Sequence, residues 1–363
     1  MKDICLLTIY LANYGAVLQT YALQVYLRNL PKVSNVYIAN FYSTACYDIF
    51  RNTKGSNFIK TFFKRILLSF KYFQFKRKNI REIEFMSQNC KYTKRYESFI
   101  QFTENLPNVD IFLTGSDQVF NPNSAYFDYF FQNFHKRGKL KVAYASSLGL
   151  ESFPDPFGNF AKMMLEDFDF LSCREETAAK HISKLTGKTV EYVVDPTLLL
   201  NESEWTEVAT CPNIKGRYIL VYDLNGGQEL INIAQKVSDF IGCKIVCLKA
   251  KFGVHYKNIY KHIYDAGPRE FVGLFKGAEY VVTDSFHGTM FSLIFGKPFN
   301  VYIAVERTSS RIRSILSCLE MEDYIIDSKN VFRICDVSRK NYTVKLNELI
   351  LNSKKYIEEF ISK

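Results

Sequence analysis

No stretch of this chain approaches 18 consecutive uncharged apolar residues, which argues against a transmembrane helix. The opening MKDICLLTIY lacks the basic start and continuous apolar helix of a secretory leader, so the chain is expected to remain in the cytoplasm. Its nine cysteines are scattered and odd in number, a pattern of reduced thiols and not of a disulfide framework. There is no HExxH, no paired CxxC and no Cys/His spacing suited to a metal, and none is expected. Gly187-Lys188-Thr189 lacks the second glycine of a phosphate loop, and neither GxGxxG nor GxSxG occurs. Solenoid repeats and low-complexity linkers are missing too, as is any RNA- or DNA-binding signature.

What is present is a chain of 363 residues, 47% hydrophobic and 23% charged, long enough for two domains with substantial cores. The net charge of +10 is concentrated in one place. Ten cations and no acid lie between Arg51 and Arg81, and subtracting them leaves 37 basic against 37 acidic residues elsewhere. One segment therefore holds the whole excess and is expected to meet an anionic surface.

Strand and helix patterns alternate twice. DICLLTIY, VYIAN, VDIFLTG, KVAYASS and FDFLSC read as strands of a first unit, with helices over about Ala16–Asn29 and from Arg174 to a Gly187 stop. RYILVYDL, CKIVCLK, AEYVVTD and PFNVYIA supply four strands of a second, with helices near Gly227–Ile241, Pro268–Lys276 and His287–Phe295. The expected organisation is α/β, with two doubly wound Rossmann-like domains at about 1–200 and 213–335 and a terminal helix at 344–361. Ligands would bind in the cleft at the carboxyl ends of the strands.

Four strand ends carry candidate chemistry. Thr283-Asp284-Ser285-Phe286-His287-Gly288-Thr289 turns a strand into a helix. Its free N–H groups suit a phosphate or carboxylate, Ser285 or Asp284 can cap, Gly288 permits close approach and His287 adds a charged donor. Arg174 opens another helix, where a cation is misplaced for stability but its fork matches an anion. The following Glu175 and Glu176 suit that helix's N-terminal end. Asp117 follows VDIFLTGS as an acid at a strand end, alternatively an Asx turn near Asn121-Pro122. Asn13-Tyr14-Gly15 occupies the same place after the first strand.

Taken in order, NYGAVLQTYALQ, FLTGSDQVFNP, KVAYASSLG, SCREETAAK, VVDPTLLL, AEYVVTDSFHGTMFSLIFGKPF and SSRIRSILS resemble the polysaccharide pyruvyl transferase family. Residues 43–105 match poorly and read as a basic, aromatic insertion in the first domain. The resemblance implies a B-type glycosyltransferase fold and transfer of pyruvate from phosphoenolpyruvate onto two hydroxyls of a hexose. The product is a cyclic ketal on a bacterial surface polysaccharide precursor. A nucleotide-sugar glycosyltransferase of the same fold is the alternative. Arg174 would be the donor-site arginine and His287 the acid or phosphate ligand, with Asp117 as base. The substrate-binding set would be Asn13, Tyr14, Gly15, Ser116, Gln118, Asn121, Glu175, Ser285, Phe286, Gly288, Thr289 and Arg311. Some family members carry a basic residue where Ser285 stands, which leaves phosphate neutralisation to Arg174, His287, backbone N–H groups and Arg311. No cofactor is implied, phosphoenolpyruvate being a substrate. Alanine at Arg174 or His287 is expected to abolish transfer while leaving the protein folded.

In the segment from Asn57 to Arg81, Ile59, Phe62, Phe63, Ile66, Leu67, Phe70 and Phe73 recur at helical spacing, and lysines lie away from that stripe. An acceptor built on polyprenyl diphosphate would lie at the cytoplasmic leaflet. The segment is therefore expected to dock the enzyme peripherally on the inner face of the plasma membrane.

Overall fold

In a computed structural model, the described residues are 1–11, 13–41, 58–124, 126–225, 227–249, 255–303, 309–326, 333–334 and 340–363; side chains at 58–72, 75, 340 and 341 are not described. The apolar runs form two parallel sheets. The first has the order β3-β2-β1-β4-β5, from β1 (Lys2–Leu7), β2 (Val33–Phe41), β3 (Tyr92–Tyr96), β4 (Ile111–Thr114) and β5 (Leu140–Ala143). A two-stranded pair, β6 (Ser172–Cys173) and β7 (Glu191–Tyr192), adjoins it through the Ser146–Cys173 bridge. The second sheet has the order β10-β9-β8-β11-β12-β13. Its strands are β8 (Tyr218–Asp223), β9 (Lys244–Lys249), β10 (Lys261–Ile263), β11 (Tyr280–Thr283), β12 (Phe299–Tyr302) and β13 (Ile325–Ile326). Each chain path winds outward, returns and winds the other way, so the order reverses at β1/β4 and at β8/β11. Those are the switch points where doubly wound sheets open a crevice.

Eight helices matter below: α1 (Tyr14–Arg28), α2 (Phe58–Asn89), α3 (Glu176–Thr186), α4 (Gln228–Ile241), α5 (Pro268–Gly277), α6 (Phe286–Ile294), α7 (Ser310–Cys318) and α8 (Lys340–Ser362). Gly187 ends α3 and Gly242 ends α4 in the left-handed conformation, at φ of 72° and 67°. The two halves share apolar packing: one continuous cluster includes Ile4 and Val17 of the first half, Trp205, and Leu220, Phe271 and Phe291 of the second. The chain end returns to the first half, where the Tyr356 hydroxyl donates to the Ala143 carbonyl at 2.9 Å and Ser353 Oγ accepts from Val194 N–H at 2.9 Å.

The second sheet has six strands where four were expected. β10 and β13 have three and two residues, too short to show a period. β3, from the segment read as an insertion, is the edge strand of the first sheet; its YTKRY sequence is polar because that edge is half exposed. Cys243 and Cys247 share one buried cluster, as their spacing predicts.

The basic segment needs a larger correction. Asn57 lies outside the described residues, and so do the side chains that form most of the expected apolar stripe. Where side chains are described, three cations face the protein. Lys78 is buried against Glu82 at 2.7 Å and lies 4.7 Å from the Tyr14 ring centroid. Arg77 pairs with Asp265 at 3.0 Å, and Arg81 with Glu270 at 3.5 Å and the Asp265 carbonyl at 2.7 Å. α2 thus braces the second half of the molecule, and Lys78 belongs to no anionic surface. Phe73, Ile80 and Ile83 are exposed, with Lys76 beside them.

Candidate active site at the two switch points

Asn13 caps α1, its Oδ1 accepting from Ala16 N–H at 2.9 Å. Tyr14 points into the core. It is fully buried, donates to the Ala266 carbonyl at 2.8 Å and stacks on Phe271 at 4.7 Å, fastening one half to the other. Gly15 lies directly against His287: a Cβ there would sit 2.0 Å from the ring Nδ1. Only glycine lets α1 and α6 approach this closely.

Beyond β4 the chain turns sharply at Asp117, whose φ is +73°, an uncommon conformation for a residue with a side chain. Asp117 Oδ1 accepts from Gln118 N–H at 2.9 Å and from Arg174 Nη2 at 3.2 Å. Asn121 makes an Asx turn instead, accepting from Asn123 N–H at 2.9 Å. Its amide also meets that of Gln118 at 2.9 Å.

Arg174 is the hub. Its side chain is wholly buried. Nη1 donates to Asp195 Oδ2 at 2.7 Å and to Ser116 Oγ at 3.2 Å, Nε lies 3.6 Å from Glu175 Oε1, and the guanidinium covers the Phe286 ring at 4.7 Å. Ser116 in turn donates to Asp195 at 3.1 Å. Asp195 is a site residue that the sequence reading did not single out, although it lies in the VVDPTLLL stretch. The available signal was an acid three residues after the short strand β7. Its Oδ1 accepts from Thr197 N–H at 3.0 Å and Oγ1–H at 2.8 Å. Burial alone would raise its carboxyl, yet His287, Arg174 and Thr197 hold it below the usual range.

Arg311 comes from α7 in the second half. Its guanidinium lies 5.9 Å from the same Phe286 ring and 3.3 Å from the Gln118 side-chain amide. Burial first, and Arg174 next, push it below its ordinary value. Glu175, 1% exposed, accepts from Ser147 Oγ at 2.5 Å, and burial raises its carboxyl.

On the facing loop, Ser285 caps α6 by accepting from Gly288 N–H at 3.3 Å. Asp284 does not cap; it accepts from Leu224 N–H, Asn225 N–H and Asn225 Nδ2 at 2.8–3.0 Å and fastens the neighbouring loop. Gly288 lets the helix close on its strand, since a Cβ would fall 2.4 Å from Thr283 Oγ1. Thr289 is fully buried and donates to the Ser285 carbonyl at 3.1 Å. These two build the turn and do not line a site. His287 Nε2 lies 3.7 Å from Asp195 Oδ2. Burial, with Arg174 and Arg311 adding to it, pushes the imidazole down to about 4 against the pull of Asp195. At neutral pH it is uncharged, contrary to its expected role as a cationic donor.

Four buried polar atoms here lack a hydrogen-bond partner: Arg174 Nε, Arg311 Nε, His287 Nε2 and Glu175 Oε2. Such atoms cost free energy unless something meets them. The two arginine nitrogens are donors, and with the first-turn N–H groups of α6 they are the kind of group that an anion needs. Among the described residues, no group of three His, Cys, Asp or Glu is placed to hold a metal.

His287 also couples folding to pH. Unfolded, it gains a proton near 6.5; folded, only near 4. The unfolded state therefore binds more protons in that window, and stability falls as pH drops through it. Thermal melts between pH 7 and 4 should show a shallower decline for His287→Gln than for the parent; parallel declines would contradict the neutral assignment.

The polysaccharide pyruvyl transferase profile matches residues 13–304. Comparison with curated proteins finds no match. Among solved structures, a UDP-N-acetylglucosamine 2-epimerase from Listeria monocytogenes, itself described as putative, superposes with a TM-score of 0.52 at 10% identity. The match covers 99% of this chain and 90% of that one. The UDP-GlcNAc 2-epimerase of Neisseria meningitidis bound to UDP-GlcNAc gives 0.48 at 11%, covering 100% of both chains. A Streptomyces glycosyltransferase complexed with thymidine diphosphate gives 0.45 at 12%, covering 98% and 96%. The Listeria structure thus shares the fold of two doubly wound parallel sheets.

Proposed function

The chain belongs to the polysaccharide pyruvyl transferase family, and from that premise we propose that it moves pyruvate from phosphoenolpyruvate onto two hydroxyls of one hexose in a surface polysaccharide precursor, closing a cyclic ketal. The observation that supports this most is the set of partnerless buried nitrogens on Arg174, Arg311 and His287. Phosphoenolpyruvate presents a carboxylate and a phosphate close together and needs such a cluster of N–H groups. With Ser285 spent on capping, charge neutralisation falls to the two arginines, and neutral His287 serves as a phosphate ligand. Asp117, held by Arg174 and by its own neighbour's N–H, is the base that orients and deprotonates a sugar hydroxyl.

The test is acceptor-dependent release of inorganic phosphate from phosphoenolpyruvate, run beside nucleotide release from sugar nucleotides. Phosphate release alone supports the assignment. Nucleotide release alone assigns a glycosyltransferase instead.

The acceptor in this reading is carried on polyprenyl diphosphate, and α2 docks the enzyme on the anionic membrane. Support comes from exposed Phe73, Ile80 and Ile83 beside Lys76, and from the cations of the segment other than Arg77, Lys78 and Arg81. No described helix is long and apolar enough to cross a bilayer. Replacing Lys60, Lys64, Lys71 and Lys76 with Gln should abolish co-sedimentation with anionic liposomes, at about 1 kcal/mol per cation near the surface. Equal partition of variant and parent would sink the docking role.

A further inference from the structure

The reaction needs one group that can hand a proton to the enol carbon, and the site offers few. Asp195 is committed on both oxygens, to Thr197 on one and to Arg174 and Ser116 on the other. Asp117 Oδ1 accepts from Arg174 and Gln118 N–H, and Asp117 already has the role of base. The arginines release no protons at neutral pH. The His287 imidazole stands 3.7 Å from a carboxylate but makes no hydrogen bond to it. Glu175 differs from all of these. It is 1% exposed, its Oε1 is held by Ser147 at 2.5 Å, and its Oε2 is buried with no partner. Nor does its side chain cap α3, although Glu175 is the N-cap residue. No hydrogen-bond donor reaches Oε2, so this oxygen can carry a proton of its own, an O–H left for an incoming acceptor.

We propose that Glu175 is the catalytic acid, delivering its Oε2 proton to the methylene carbon of phosphoenolpyruvate; this deepens the pyruvyl transfer reading and rests on it. Protonation makes that carbon a methyl group and leaves an oxocarbenium-like C2. A sugar hydroxyl forms its C–O bond there, and its proton passes through Asp117 to the departing phosphate as the C2–O bond to phosphate breaks. The second hydroxyl closes the ketal and returns its proton to Glu175. One hydroxyl proton thus ends in the new methyl group and the other on inorganic phosphate, so atoms and charge balance with no external reductant or metal. Between these events the Glu175 carboxylate is stabilised by Arg174 on one side and Arg311 on the other. Cys173 and Tyr192 are the other titratable groups that feel its charge.

Glu175→Gln preserves volume and can still accept from Ser147. It should lose about 10²–10⁴-fold in kcat, while KM for phosphoenolpyruvate stays within about threefold and the thermal shift it induces persists. Ser147→Ala removes the bond that favours the ionised form, so the basic limb of its kcat profile should move to higher pH. The two variants are independent, and the second keeps the test open if the first does not fold. A Gln variant with kcat within threefold of the parent, a loss confined to the KM of the sugar, or an unmoved basic limb in Ser147→Ala each overturns the proposal. A parent that neither binds phosphoenolpyruvate nor releases phosphate from it overturns the functional reading itself.

Discussion

Arg174→Ala is expected to abolish transfer and, at the same time, to lower the melting temperature by roughly 6–20 °C. Arg174 is the hub of a buried network in which Asp195, Asp117 and Glu175 face one guanidinium at 2.7, 3.2 and 3.6 Å. Removing one partner of a buried ion pair costs about 3–5 kcal/mol, because the partner charges stay behind uncompensated. Each kcal/mol corresponds to roughly 2–4 °C in a unit of about 150–250 residues, the size range of the first half that holds Arg174. The sequence-level expectation of an inactive but normally stable variant therefore does not survive the burial of this side chain. Arg174→Lys keeps the charge but offers one compact ammonium in place of a fork that reaches Asp195, Ser116 and Asp117 together. It should fold better than the alanine variant and remain inactive. Calorimetry and phosphate release on both variants check this; a lysine variant with parental turnover would show that the fork geometry is dispensable.

Gly15→Ala should rank next, although it adds a single methyl group. That carbon would lie 2.0, 2.3 and 2.6 Å from three atoms of the His287 ring. The ring is boxed in: Arg174 covers one face of the adjoining Phe286, and Asp195 stands beside Nε2. Either His287 leaves its place, or α1 and α6 separate and the two halves open. Both outcomes misplace groups that must converge on one donor. A loss on the order of 10²-fold in kcat/KM is expected, with a lowered melting temperature. A double-mutant cycle isolates the cause. Adding His287→Ala to Gly15→Ala makes room for the methyl, so stability should recover toward that of His287→Ala alone while activity stays lost. Strictly additive stability effects would mean that the methyl group is accommodated elsewhere.

By itself, the sequence determined the parallel α/β architecture, because runs such as VDIFLT and YILVYD must be buried on both faces and only helical crossovers join them in parallel. It also determined which chain positions reach the crevice, since strand ends at a switch point face it wherever the loops run. His287 and Asp117 were legible on that ground, and Arg174 and Glu175 as residues between a strand and the helix that follows it. The tertiary structure alone decided what those positions do. Asp195 joins Arg174 across 21 residues and Ser116 across 79, and no local pattern marks such pairings. Tyr14 looked like a site residue and is a fastener, because its ring met Phe271 from the other half. Lys78 and Lys76 are equivalent on paper; one is buried against Glu82 and Tyr14 and the other exposed, according to which face of α2 meets the second half. Protonation states follow the same division. The charge a group carries depends on the solvent it has lost and the charges folded against it. His287 is neutral and the Glu175 carboxyl raised only once both halves of the chain enclose them.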